Sequence, residues 1–283
     1  MRSITRLAFA VALAAATLSA PMAAVGQASG PTITADVVYG HKDGMALVYD
    51  VFKPANANRT AAIYMVSGGW VSRWAPPESR IAGFKPLLNR GITVIAVHHG
   101  SSPKYKVPEA YADVKRAVRH IHANAARFGI DQNRMGVFGG SAGGHLSLML
   151  GLTGDDGNPQ ATDPVERASS RIKTVVAYYP PVDLRRMTGP SDRFPALDFD
   201  NAQAAGISPI LFVDPKDPST LVIHGDADTL VNVSNGRQIN EALKTAGVKT
   251  DLIIIPGGDH GFSNTEHRNR ADTARAEWFA ANL

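Results

Sequence analysis

The chain of 283 residues has no cysteine. That excludes disulfides, thiolate catalysis and a lipid-bearing cysteine near the N-terminus. Beyond the N-terminal stretch there is no long uncharged apolar run, which excludes a helical membrane span in the body of the chain. No Lys-Ser or Lys-Thr follows the glycine-rich stretch, so a Walker phosphate loop is excluded. The pairs His98/His99 and His120/His122 lack the i, i+4 spacing that puts two ligands on one helical face. No metal and no cofactor are therefore expected. Basic residues are scattered rather than clustered, which argues against a nucleic-acid partner. There is no internal repeat and no linker-like stretch dividing the chain.

Hydrophobic residues make up 44% of the chain, enough for a large core. The first residues carry Arg2 and Arg6 and no acid, and Leu7 to Leu18 is apolar and alanine-rich. Small residues follow, through Gly26-Gln27-Ala28. This is the tripartite pattern of a secretory signal peptide, expected over residues 1–28. The apolar run is too short to span a bilayer comfortably, and the two arginines are not adjacent as a twin-arginine signal needs. A secreted or periplasmic protein is expected, with residues 29–283 as its single domain. Without Arg2 and Arg6 the basic count falls from 29 to 27 against 25 acids.

Thr32 to Phe52 alternates around the turn cluster Gly40 to Gly44 and predicts an antiparallel hairpin. From Ala61 onward, short apolar runs alternate with helical patterns. The runs are 61–66, 92–97, 135–138, 172–179, 219–224 and 251–255. Helices are expected over 81–89, from Pro108 to Phe128, over 145–152, 234–246 and 271–283. Such alternation calls for an α/β fold, a mostly parallel sheet with helices on both faces. Residues 182–218 mix Pro, Asp and Phe with weak periodicity and are expected to form a small cap.

The chemistry centres on Gly139-Gly140-Ser141-Ala142-Gly143-Gly144, between a predicted strand and a predicted helix. Strand, Gly-x-Ser-x-Gly, helix is the context of a nucleophile elbow. A serine at the tip of a tight turn projects its hydroxyl above the sheet, and the flanking glycines avoid collisions. Other candidate groups also fall at predicted strand ends: the Gly68-Gly69 turn, Asp228 and His260. Ligands of open parallel sheets bind at that edge. Ser141 is then the nucleophile, His260 the general base and acid, and Asp228 the carboxylate that orients the histidine. The N–H of Ala142 and amides of Gly68 and Gly69 are assigned to the oxyanion. Asp226 competes with Asp228 for the third role. Trp70 and Trp74 either line the substrate pocket or cover the core, and Trp70 is the substrate-binding candidate.

Three segments resemble the α/β-hydrolase superfamily. They are Gly139 to His145, His224-Gly225-Asp226-Ala227-Asp228-Thr229-Leu230-Val231, and Gly258-Asp259-His260-Gly261-Phe262. The chain is similar to secreted bacterial carboxylesterases of the acetyl-xylan/feruloyl-esterase-like and hormone-sensitive-lipase-like groups. That resemblance implies an eight-stranded sheet and favours Asp228 over Asp226. Where those esterases have H-G-G-G-W, this chain has Val66-Ser67-Gly68-Gly69-Trp70, lacking the histidine and first glycine. The implied activity is hydrolysis of esters with short or aromatic acyl groups, including esters on carbohydrate, through an acyl-enzyme. A prolyl-oligopeptidase-like serine exopeptidase is the alternative. Those enzymes normally carry a large additional domain, for which this chain has no room.

Overall fold

The computed structural model describes residues 30–283. The expected signal peptide, 1–28, lies outside the described residues. Eight strands form one sheet: β1 (Thr32–Lys42), β2 (Met45–Lys53), β3 (Ala61–Met65), β4 (Thr93–Val97), β5 (Met135–Gly140), β6 (Thr174–Tyr178), β7 (Ser219–Gly225) and β8 (Thr250–Ile255). Their order is β1-β2-β4-β3-β5-β6-β7-β8. β1 and β2 pair antiparallel, as do β2 and β4, and every later pairing is parallel. This is the architecture that the resemblance implies.

The sheet is covered on both faces, which is why its central strands read as unbroken apolar runs. Alternate residues feed opposite cores. Ile63, Met65, Ile95 and Val97 belong to one, Ala62, Val94 and Ala96 to the other. The first core is closed by α2 (Val107–Phe128), α3 (Ala142–Leu152) and α4 (Ser234–Thr245). The second is closed by α1 (Ile81–Leu88) and α5 (Thr265–Asn282). On α2 the stripe Val114, Ala117, Val118 and Ile121 is fully buried, as its spacing predicts. Gly129 ends that helix at φ 71°, a left-handed position where glycine carries no Cβ penalty.

α5 starts six residues earlier than its apolar pattern predicts, at Thr265 rather than Ala271. The reason is a cap. The Asn264 side chain accepts from the backbone N–H of Glu266 and His267, satisfying two amides of the first turn. The intervening residues are polar and mostly exposed, so periodicity does not register them.

Residues 182–218 contain four short 3-10 turns and no α-helix or strand. Val182, Leu184, Ala196, Leu197 and Ile207 are buried with the α2/α3 core. The segment is therefore anchored to the body of the domain.

Candidate active site

β3, β5, β7 and β8 deliver the candidate groups to one edge of the sheet, beyond their carboxyl ends. Ser141 follows β5 directly and has φ 55° and ψ −118°. A non-glycine residue held there costs roughly 1–3 kcal/mol, sustained by its surroundings. Its backbone is clamped: Ser141 N–H donates to Tyr178 O at 2.9 Å, and His145 N–H donates to Ser141 O at 2.9 Å. The neighbouring glycines have no room for a side chain. A Cβ at Gly139 would lie 2.6 Å from the Gly143 backbone, and one at Gly143 would lie 2.9 Å from Met65 O. The elbow thus rests on close contact between β5, α3 and β3.

The structure brings His260 and Asp228 together. His260 Nδ1 lies 2.7 Å from Asp228 Oδ2. Nδ1 carries the hydrogen in that bond, which leaves Nε2 as the accepting nitrogen. Asp228 is 6% exposed, and its other oxygen accepts from the N–H of Leu230 at 2.8 Å and of Val231 at 2.9 Å. His224 adds a further contact. Its Nε2 donates to Val231 O at 2.8 Å and lies 3.4 Å from Asp228 Oδ2. Burial holds the His224 imidazole below its ordinary pKa. Asp226 points elsewhere: it is exposed, and its Oδ1 accepts from Gly257 N–H at 2.7 Å, tying the loops after β7 and β8. Asp259 closes its own turn by accepting from Ser263 N–H.

Ser141 and His260 line one cavity of about 560 Å³, together with Ser67, Gly68 and Tyr179. No hydrogen bond joins Ser141 to His260 among the described residues. Bonds of this kind commonly tighten only when substrate is bound. Tyr179 was not singled out from the sequence. Its ring centroid lies 4.6 Å from that of His260, and a Cβ on Gly140 would touch its hydroxyl. The signal was the pair Tyr178-Tyr179 at a strand's carboxyl end, just before Pro180-Pro181.

The turn after β3 corrects two expectations. Gly68 N–H donates to Val71 O at 3.1 Å, and Val71 N–H donates back to Gly68 O at 3.0 Å. Gly69 and Trp70 between them have φ of 58° and 57°, the paired positive values of a type I′ turn. The Gly68 amide is consequently committed to the turn itself. Gly69 presents the amide that makes no such bond, and Ala142 presents a first-turn helix amide without an intrahelical partner. Trp70, expected at the substrate, is 3% exposed and absent from the cavity wall. Its positive φ turns the indole into the core. Trp74 is 64% exposed.

Trp70 instead supports the turn from below. Its Nε1 donates to His145 Nδ1 at 3.3 Å, and His145 Nε2 donates to Ile207 O at 2.8 Å. One chain of bonds therefore links the turn, the elbow helix and the 182–218 segment. Phe194 of that segment also packs on the turn, since a Cβ on Gly69 would lie 3.3 Å from its ring. No residue of 182–218 lines the cavity among the described residues, so the segment braces the site rather than roofing it. A second support holds the start of the turn at Ser67. His99 Nδ1 donates to Gly100 O at 2.8 Å, leaving Nε2 to accept from Ser67 Oγ at 2.9 Å.

His145 gives a prediction. Burial pushes its pKa down from 6.5 to about 4. Between those values the unfolded chain takes up a proton that the folded chain refuses. The contribution to stability is thus complete above about pH 6.5 and is lost as pH falls toward about 4, roughly 3 kcal/mol in all. The ring carbon shifts of His145 followed against pH should show a midpoint near 4. A midpoint near 6.5 would contradict the buried, doubly bonded imidazole.

A family model, BD-FAE, matches residues 49–243, more than half of the chain. The chain belongs to the BD-FAE family. The match contains the elbow and Asp228 and stops short of His260. Among curated relatives, Esterase LipC of Mycobacterium tuberculosis is 29% identical over 261 residues, covering 85% of this chain and 62% of its own. The chain spans about 60% of the length of the first curated relatives it matches. Two solved structures align over almost their whole length. A truncated carbohydrate esterase from gut microbiota has a TM-score of 0.74 and 27% identity, covering 91% of this chain and 98% of its own. An acetyl ester-xyloside bifunctional hydrolase from Caldicellulosiruptor lactoaceticus has a TM-score of 0.75 and 26% identity, covering 90% and 98%. This BD-FAE member therefore has the α/β-hydrolase fold of the esterases.

Proposed function

We propose that the chain is a serine carboxylesterase. The observation that carries this reading is the 2.7 Å bond from His260 Nδ1 to a buried Asp228, with His260 and Ser141 on the wall of one cavity. In the proposed reaction, His260 Nε2 accepts the Ser141 hydroxyl proton as Oγ bonds to the ester carbonyl carbon. The amides of Gly69 and Ala142 donate to the resulting oxyanion. His260 then passes its proton to the departing alcohol, leaving an acyl-Ser141. Water enters, His260 accepts a proton from it, and the tetrahedral adduct expels Ser141 Oγ, which recovers the proton as the acid leaves. Asp228 stabilises the imidazolium in both halves.

The names of the structural neighbours support acetyl esters and esters on carbohydrate as the substrate class, and aromatic acyl groups are added from the sequence resemblance. A panel of acetyl, butyryl, octanoyl and feruloyl esters beside aminoacyl-proline anilides tests the reading. Hydrolysis of the shorter or feruloyl esters is expected. Cleavage of the anilides without the esters would replace the esterase by an exopeptidase.

No step in this scheme needs a metal, and the histidine pairs are engaged elsewhere. His99 holds Ser67, and His120 Nδ1 lies 3.0 Å from the Tyr49 hydroxyl. Turnover should survive exhaustive chelation unchanged. Loss of activity in chelator that a single divalent metal restores would overturn the scheme.

A further inference from the structure

The cavity beside Ser141 runs down between α1 and α5, and its wall is predominantly cationic. Arg80, Arg268 and Arg275 line it, against the single carboxylate Asp272. Among the described residues only Arg275 has a carboxylate partner, Asp272 Oδ1 at 3.3 Å from Nη1. Arg275 is 5% exposed, its guanidinium sits 4.7 Å from the Phe138 ring centroid, and Nη2 donates to Gly83 O at 3.0 Å. Its Nε is buried without a partner among the described residues, and so is Nε of Arg80. Among the described residues Arg80 otherwise donates only to a carbonyl, Arg73 O, at 3.1 Å. Arg268, at the exposed rim, likewise bonds carbonyls, Phe262 O and Ser263 O. Buried donors left unpaired are costly, and so are cations taken out of water without a counter-charge. Among the described residues neither Arg80 nor Arg268 has a carboxylate within salt-bridge distance, Asp50 and Asp272 acting on them only from farther away. Both line the cavity that Ser141 lines, and planar guanidinium donors match the carboxylate fork.

We infer that this cavity binds a carboxylate carried by the substrate, so that the preferred ester has an anionic group on the part that enters between α1 and α5. The inference rests on the ester-hydrolase reading above. The carboxylate has two sources, the acyl portion (a hemi-ester of a dicarboxylic acid) or the alcohol portion (an acylated hydroxy acid such as a uronate). In either case neutralisation by the arginines offsets the cost of bringing the anion out of water.

The test uses the full chain and two matched pairs. The acyl pair is the 4-nitrophenyl hemiester of glutaric acid against its neutral amide isostere, the 4-nitrophenyl ester of glutaramic acid. The alcohol pair is acetoxyacetate against acetoxyacetamide. The charged member of one pair should show at least a tenfold higher kcat/KM, and the preference should shrink as ionic strength rises from about 0.05 M to about 0.5 M. The pair that responds identifies the source. Arg80→Gln should lower the charged-to-neutral ratio at least tenfold, and Arg80→Lys should restore part of it. Hydrolysis of both pairs without charge preference, or a preference that Arg80→Gln leaves intact, would overturn the inference. Calorimetric binding to the Ser141→Ala protein separates this from the activity. Glutarate should bind at least tenfold tighter than glutaramide there. Equal binding would sink the cavity assignment, whereas tight glutarate binding by a protein that hydrolyses no ester would sink only the esterase reading.

Discussion

Ser141→Ala is expected to lower ester turnover by at least about four orders of magnitude, roughly 5.5 kcal/mol of transition-state stabilisation. Removing the nucleophile of a serine hydrolase typically costs about a millionfold, and the remaining oxyanion donors retain only a small residue of catalysis. Stability should change little, because the hydroxyl makes no hydrogen bond among the described residues and the backbone clamp through Tyr178 O is untouched. Ser141→Gly extends the argument. The residue sits at φ 55°, which glycine occupies without strain. That variant should be equally inactive and more stable by about 1 kcal/mol, read as a raised thermal midpoint. A serine-free elbow that still turns over ester would remove the basis of the proposed chemistry.

The second large effect separates the two aspartates after β7. Asp228→Asn should reduce kcat at least a hundredfold, about 2.7 kcal/mol, with a much smaller change in KM. The geometry explains the sign. One Asp228 oxygen accepts from two backbone amides, at Leu230 and Val231. An asparagine there keeps its carbonyl on those amides and turns its NH2 toward His260 Nδ1. The imidazole then accepts at Nδ1 and carries its hydrogen at Nε2, the wrong tautomer to take a proton from Ser141. Asp226→Asn should leave kcat nearly unchanged, since its oxygen can still accept from Gly257 N–H. Asp226→Ala should cost about 1 kcal/mol of stability through that lost bond. If the Asp226 variants are the inactive ones, the carboxylate has been misassigned.

These assignments were legible because strand ends are legible. Unbroken apolar runs mark β3 to β7, and residues immediately after such runs must lie on one edge of a parallel sheet. Ser141 and His260, which follow β5 and β8, needed little more than that placement and their residue types, whereas Asp226 shares the loop and residue type of Asp228 and only the motif resemblance separated them. What the sequence concealed depends on dihedral angles and on long-range contacts. Trp70 looks like a pocket residue until its φ of 57° is known, and the Gly68 amide looks free until Val71 folds back on it. The cationic wall was equally hidden. Arg80 comes from the turn before α1, while Arg268 and Arg275 come from α5, nearly two hundred residues later. His145 and Ser67 show the same limit, since the partners that give them meaning, Ile207 and His99, are distant in sequence.

The central claim is that Ser141 is a nucleophile activated by His260. Reaction of the native protein with a serine-directed organophosphonate, followed by peptide mapping in a mass spectrometer, tests it most directly. The predicted result is a single adduct on the peptide containing Ser141, formed at a rate that falls at least a hundredfold in His260→Gln and is absent from Ser141→Ala. An adduct on another serine, or labelling of Ser141 at the same rate without His260, would contradict the account.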